Sequence, residues 1–213
     1  IWGDYHNVPA DPTVVWWEWD VLDRELAAIG APILRVPGNH EITDLPTRDV
    51  FLRRYGAMPN AVRANNVLFL LLSTAWIPAD GDSTESRYVH GVPLDRAQLD
   101  FVSTELDVDT HEHAFVVVHH VHWWKEDAIW WKTVHPRLVE KKVRAVIAGD
   151  YGPTKYSHRV VDGITYVHAS IAVEPGDEML RMNDEARQLS QQLDCYLHFT
   201  VNGDDVQFDV RTV

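Results

Sequence analysis

Apolar residues in this chain fall into two rhythms, and the alternation between them sets the expected fold. Val15, Trp19, Leu22, Leu26 and Ile29 recur at the spacing of one helical face. Asp11 and Pro12 supply a capping carboxylate and a first-turn proline at the start of that helix. Gly30 closes it and Pro32 prevents its resumption. Residues 33–36 then form a short apolar run that predicts a strand. With a strand end at Ile1-Trp2-Gly3, this makes a strand–helix–strand unit with a right-handed crossover. Further helices are predicted over 45–55, stopping at Gly56, over 94–106 with Leu99, Val102 and Leu106 on one face, and over 135–142. Buried strands are predicted over 67–72, 115–118 and 143–148, and a loop over 79–91.

Beyond residue 150 the pattern changes. Strands are expected over 164–171, 196–201 and 206–213, with an acidic loop and helix over 174–192. Asn202-Gly203 between two strand patterns is a hairpin signal. The fold class is α/β, as one domain over 1–213 closed by a C-terminal hairpin of about 195–213. The start at Ile1, inside a strand pattern, predicts that an upstream portion belongs to the domain.

Composition narrows the class. The chain has 213 residues, 46% hydrophobic and 24% charged, with 32 acidic against 19 basic side chains and a formal net charge of −13. That balance argues against a general binder of nucleic acid or anionic membrane. An anionic small substrate stays compatible, because a bound cation inverts the local field. No apolar run reaches the ~18 residues needed to span a bilayer. The compartment is open, with the cytoplasm as the first expectation. A single cysteine, Cys195, excludes an internal disulfide and is expected as a buried, inert thiol. Twelve histidines and nine tryptophans stand out, above all the group His119, His120, His122, Trp123 and Trp124.

The chemistry gathers where apolar runs end. Ile1-Trp2 leads into Gly3-Asp4, 33–36 into Asn39-His40-Glu41, 115–118 into His119-His120, and 143–148 into Gly149-Asp150. Parallel neighbours would bring all four groups to one sheet edge. Asp, Asn and His together suit Mn, Fe or Zn better than Mg or Ca. Such a site can hold one or two ions and acidify a bound water for attack on phosphorus. The other histidines read differently: His122, His135 and His168 as rim or satisfied core, and His90, His111 and His113 as surface.

At these motifs the sequence resembles the calcineurin-like metallophosphoesterases, whose order is D-x-H, G-D, G-N-H-[ED], a lone His after a strand, and G-H-x-H. Gly3-Asp4, Gly38-Asn39-His40-Glu41 and His119 carry the resemblance, which runs to about Tyr166. Arg53-Arg54-Tyr55-Gly56, the strand over 67–74 and Gln98-Leu99-Asp100-Phe101 add to it. It implies a four-layer αββα sandwich, two mixed sheets flanked by helices. It also implies a hydrolase that cleaves a small-molecule phosphate monoester or diester with metal-bound hydroxide. Asp4 would bridge two metals, and Asn39 and His119 would bind the second. His40 would face the phosphate and Glu41 would orient it. His120, Trp123 and Tyr151 would lie on the substrate side, and the tryptophans would favour an apolar, aromatic or sugar portion. Two departures matter. D-x-H is absent, and the last motif reads Gly149-Asp150-Tyr151-Gly152, so Asp150 would substitute for a histidine ligand and Gly152 can offer none. His6 or His158 could make up the loss. The rival expectations are a binding or scaffold protein that has lost catalysis, and a metal site used for redox chemistry.

Overall fold

The computed structural model describes residues 11–75, 93–108, 110–125, 128–150, 156–169 and 195–212. Helix α1 (Pro12–Ala27) starts as its sequence dictates, with the Asp11 carboxylate accepting the Thr13 N–H. Helix α2 (Leu45–Tyr55) begins in a reciprocal cap. Asp44 accepts the Thr47 N–H, and the Thr47 hydroxyl accepts the Asp44 N–H. The two helices bury Val15 and Trp19 against Val50 and Phe51, with the Trp19 ring edge-on to Tyr55 at 5.0 Å.

A six-stranded sheet carries the core, in the order β1-β2-β3-β4-β6-β5. Its strands are β1 (Asn60–Ala64), β2 (Val67–Leu71), β3 (His113–Val117), β4 (Ala145–Ala148), β5 (Tyr156–Val161) and β6 (Ile164–Ala169). The inner four, β2-β3-β4-β6, are parallel, and β1 and β5 pair antiparallel at the two edges. Alternation splits the inner strands between two faces. Leu68, Leu70, Val116, Val146 and Tyr166 share one core with Val102 and Leu106 of α3 (Arg96–Asp107), Trp130 of α4 (Ile129–Thr133) and Leu138 of α5 (His135–Glu140). Each fully buried aliphatic or aromatic side chain there contributes about 1.5–3 kcal/mol. The opposite face, with Val67, Phe69, Phe115, Ala145 and Ile147, is covered by a hairpin of β7 (Cys195–Asn202) and β8 (Asp205–Thr212). Phe199 meets Phe115 edge-on at 5.4 Å. Gly203 turns the hairpin at φ +56°.

Several expectations change. Residues 33–36 join no ladder among the described residues. Charge fixes this segment instead. Arg35 pairs with Asp23, whose carboxylate also accepts Arg54 Nε at 2.8 Å, Arg54 Nη2 at 2.6 Å and the Tyr55 hydroxyl at 3.0 Å. His113 is buried, not on the surface. Its Nε2 lies 2.6 Å from the Gly203 carbonyl and its Nδ1 accepts from Arg144, so it pins the hairpin turn to the sheet. His135 is a satisfied core residue, with Tyr166 Oη at 2.7 Å and Asp162 Oδ2 at 2.9 Å. The expected strand at Ile1-Trp2, the loop over 79–91 and the helix over 174–192 lie outside the described residues, as does the side chain of Cys195.

Candidate metal centre

The parallel ladder continues past the ends of the strands and draws their loops together. Leu72 N–H bonds to Val117 C=O, and Val118 N–H bonds to Ile147 C=O. The His119 carbonyl then accepts both the Gly149 and Asp150 N–H groups, at 3.2 and 3.0 Å. His119, His120 and Asp150 therefore converge, with one potential ligand atom from each lying within 4.8 Å of the others.

The Gly38-Asn39-His40-Glu41 turn meets this group from the side. Ile42 N–H returns to the Gly38 carbonyl, and the buried Glu41 carboxylate accepts the Gly38 N–H at 2.8 Å. The turn is thereby closed, and it delivers Asn39 Oδ1 to 2.9 Å from His119 Nε2. Asp150 Oδ1 lies 3.4 Å from the same nitrogen. Gly38 is required by space: a Cβ there would stand 2.7 Å from Glu41 Oε2 and 2.7 Å from His119 Cε1.

These atoms fit a cation. Ligand atoms bonded at about 2.1 Å to one ion stand about 3.0 Å apart in octahedral geometry and about 3.4 Å apart in tetrahedral geometry. The spacings around His119 Nε2 match both. Two imidazoles and a carboxylate stand together there as candidate donors. The His119–His120–Asp150 group can thus hold a metal ion.

Neighbouring residues hold the donors in place. Thr74 is buried beyond the end of β2, and its hydroxyl lies 2.8 Å from His120 Nδ1 while accepting the His120 N–H at 3.1 Å. If Nδ1 donates to Thr74, the Nε2 lone pair is left for a metal. Gln98 braces the same end of β2 through two 2.9 Å bonds to the Ser73 backbone. His168, 1% exposed, places Nε2 2.5 Å from the Asp150 carbonyl. Burial holds the His168 imidazole below the usual histidine range, against the raising effect of Asp150. It is therefore a neutral donor to the loop that carries Asp150.

Asn39, His119 and Asp150 are brought together as the sequence suggests, and His40 sits half-exposed on the same turn. His120 belongs to the cluster that could hold a metal, where the sequence reading placed it on the substrate side. Trp123 is a correction. It is 2% exposed and packs on Trp130 at 5.7 Å and Tyr166 at 5.2 Å, so it is a core residue and touches no substrate. Trp124, 42% exposed, lies with its ring 5.1 Å from His168. His158 faces Tyr156 and Phe208. Asp4, His6, Tyr151 and Gly152 lie outside the described residues. Thr74 was missed by sequence reasoning, although it follows an apolar run as the other site residues do; His168 is the buried, bonded histidine that the sequence reading allowed.

No helix among the described residues is long and apolar enough to cross a membrane. No protein-family model matches the chain, and comparison with curated proteins also yields no match.

Proposed function

We propose that this protein is a metal-dependent phosphoesterase acting on a small phosphate monoester or diester. The observation that supports this is the meeting of Asn39 Oδ1, Asp150 Oδ1 and His119 Nε2 within 3.4 Å of one another's shared nitrogen, with His120 beside them. Asn39, His119, His120 and Asp150 would hold one ion of Mn, Fe or Zn type. Such an ion supplies Lewis acidity to a phosphoryl oxygen and acidifies water. His40, adjacent to Asn39 on the closed turn, would donate a proton to the leaving oxygen or hydrogen-bond a non-bridging one. Glu41 holds the turn through the Gly38 N–H, and Thr74 fixes the His120 ring. In this reading the six-stranded sheet and the β7–β8 hairpin are facing layers of an αββα sandwich.

Metal analysis of purified protein, paired with hydrolysis of an aryl phosphate, tests the proposal. One bound transition metal and activity lost in Asn39→Ala are expected. Phosphate release that survives metal removal, or that Asn39→Ala leaves intact, rejects it. A second reading, a metal-binding protein without catalysis, rests on the departure at Asp150-Tyr151-Gly152. Metal bound with no hydrolysis of any phosphate ester would select it.

A further inference from the structure

Roughly 17 Å from the metal cluster, five residues back along β3 at about 3.3 Å each, the sheet has a second concave feature. A cavity of about 500 Å³ opens between the C-terminal ends of α3 and α5 and the start of β3. That volume lies in the range of small-molecule sites. Leu106 and Ala114 give it an apolar portion. Most of its polar lining is already engaged. Lys141 pairs with Asp107, and Glu112 Oε2 accepts from Asn66 Nδ2 at 2.6 Å. Two groups remain. His111 Nδ1 is buried with no hydrogen-bond partner, and the Lys142 ammonium makes no polar contact, both among the described residues.

Lys142 is also out of place for the backbone. Helix α5 ends with Lys142 N–H bonded to Val139 C=O and Val143 N–H bonded to Leu138 C=O, each at 3.0 Å. This arrangement puts Lys142 at φ +55°, the position where glycine is the usual residue. The other non-glycine residues with positive φ among the described residues are Asn65 and Asp162, types that tolerate it. The described fold gains no polar contact from the Lys142 side chain, and glycine would serve the turn better. Lys142 is exposed and is one of the residues that line the cavity.

We infer that this cavity binds a small carboxylate with a short hydrocarbon body. Its oxyanion meets the Lys142 ammonium and His111 Nδ1, and its carbon chain lies on Leu106 and Ala114. The site is independent of the phosphoesterase reading. The test is a ¹H–¹⁵N NMR titration of the full chain with butyrate, and with butylamine and butanol as probes of opposite and zero charge. Butyrate alone is expected to give saturable shifts at the amides of Leu106, His111, Ala114 and Lys142. Lys142→Gly is expected to raise the melting temperature while weakening butyrate binding at least tenfold, and Lys142→Arg to retain binding. The inference is overturned if butylamine binds as well as butyrate, if shifts fall only at Asn39, His119 and Asp150, or if Lys142→Gly binds butyrate unchanged.

Discussion

Gly38→Ala probes the junction on which the metal centre depends. The added methyl would stand 2.7 Å from Glu41 Oε2, 2.7 Å from His119 Cε1 and 2.8 Å from His119 Nε2. Neither neighbour retreats easily. The Glu41 carboxylate is bonded to the Gly38 N–H itself, and the His119 ring is held by Asn39 and Asp150. Overpacking of this kind costs about 1–3 kcal/mol. Losing the charge-assisted Gly38–Glu41 bond adds about 1.5–3 kcal/mol. A total of about 2.5–6 kcal/mol corresponds to a fall of about 5–24 °C in Tm for a chain of this size. The displaced His119 ring should also weaken metal binding about 10–100-fold. Gly30→Ala is the control. Gly30 has φ +68° but nothing within 4 Å of its would-be methyl, so only backbone strain of about 1–2 kcal/mol is expected, with metal affinity unchanged. Calorimetric melting and titration with Zn²⁺ or Mn²⁺ on both variants give the answer. If Gly38→Ala melts within a degree of the parent and binds metal equally, the turn does not pack on His119 and the proposed centre fails with it.

Other perturbations separate holding residues from filling ones. Thr74→Val removes the hydroxyl from His120 Nδ1 and from its N–H; metal affinity measured by calorimetric titration should drop about tenfold or more, and an unchanged value would deny Thr74 its orienting role. Trp123→Ala, which empties a core position, should destabilise by about 3–5 kcal/mol in denaturant unfolding, whereas exposed Trp124→Ala should stay within about 0.5 kcal/mol; the reverse order would restore Trp123 to the surface. Burial pushes the Tyr55 and Tyr166 hydroxyls up to about 12. Because the folded state keeps these protons, it holds their contribution below pH ~10, the free tyrosine value, and loses it as pH rises toward 12. In absorbance at 295 nm, at least two of the seven tyrosines should therefore ionise late and together with unfolding; all seven titrating near the free value would contradict the burial.

The sequence made the interior strands and the helices legible for physical reasons that can be named. Asp11-Pro12, Asp44 and Asp95 sit where carboxylates satisfy first-turn amides, and all three cap their helices. The run at 67–72 is apolar on both faces because helices cover one side of β2 and the hairpin the other. Edge strands escaped notice for the converse reason. β1 and β5 are half-exposed and carry no continuous apolar run, so a pattern search passes over them. Residues 33–36 join no ladder among the described residues, and the Asp23–Arg35 pair that anchors them joins residues twelve positions apart, which no local pattern announces. At the site, strand ends located His119 and Asp150, and the Gly38-Asn39-His40-Glu41 motif located Asn39. They could not say which way the loop after His120 turns, and that turn decides that Trp123 is buried and Trp124 exposed.

The β7–β8 hairpin has a consequence for how the chain matures. Phe199, Val201 and Val206 shield Phe69, Phe115 and Ile147, and the Gly203 carbonyl reaches back 90 residues to His113. Until residues 195–212 leave the ribosome, the central strands present an aromatic slope to water. Nascent chains that stall before Cys195 should thus adhere to one another or to chaperones, and emergence of the hairpin is the step that covers the sheet.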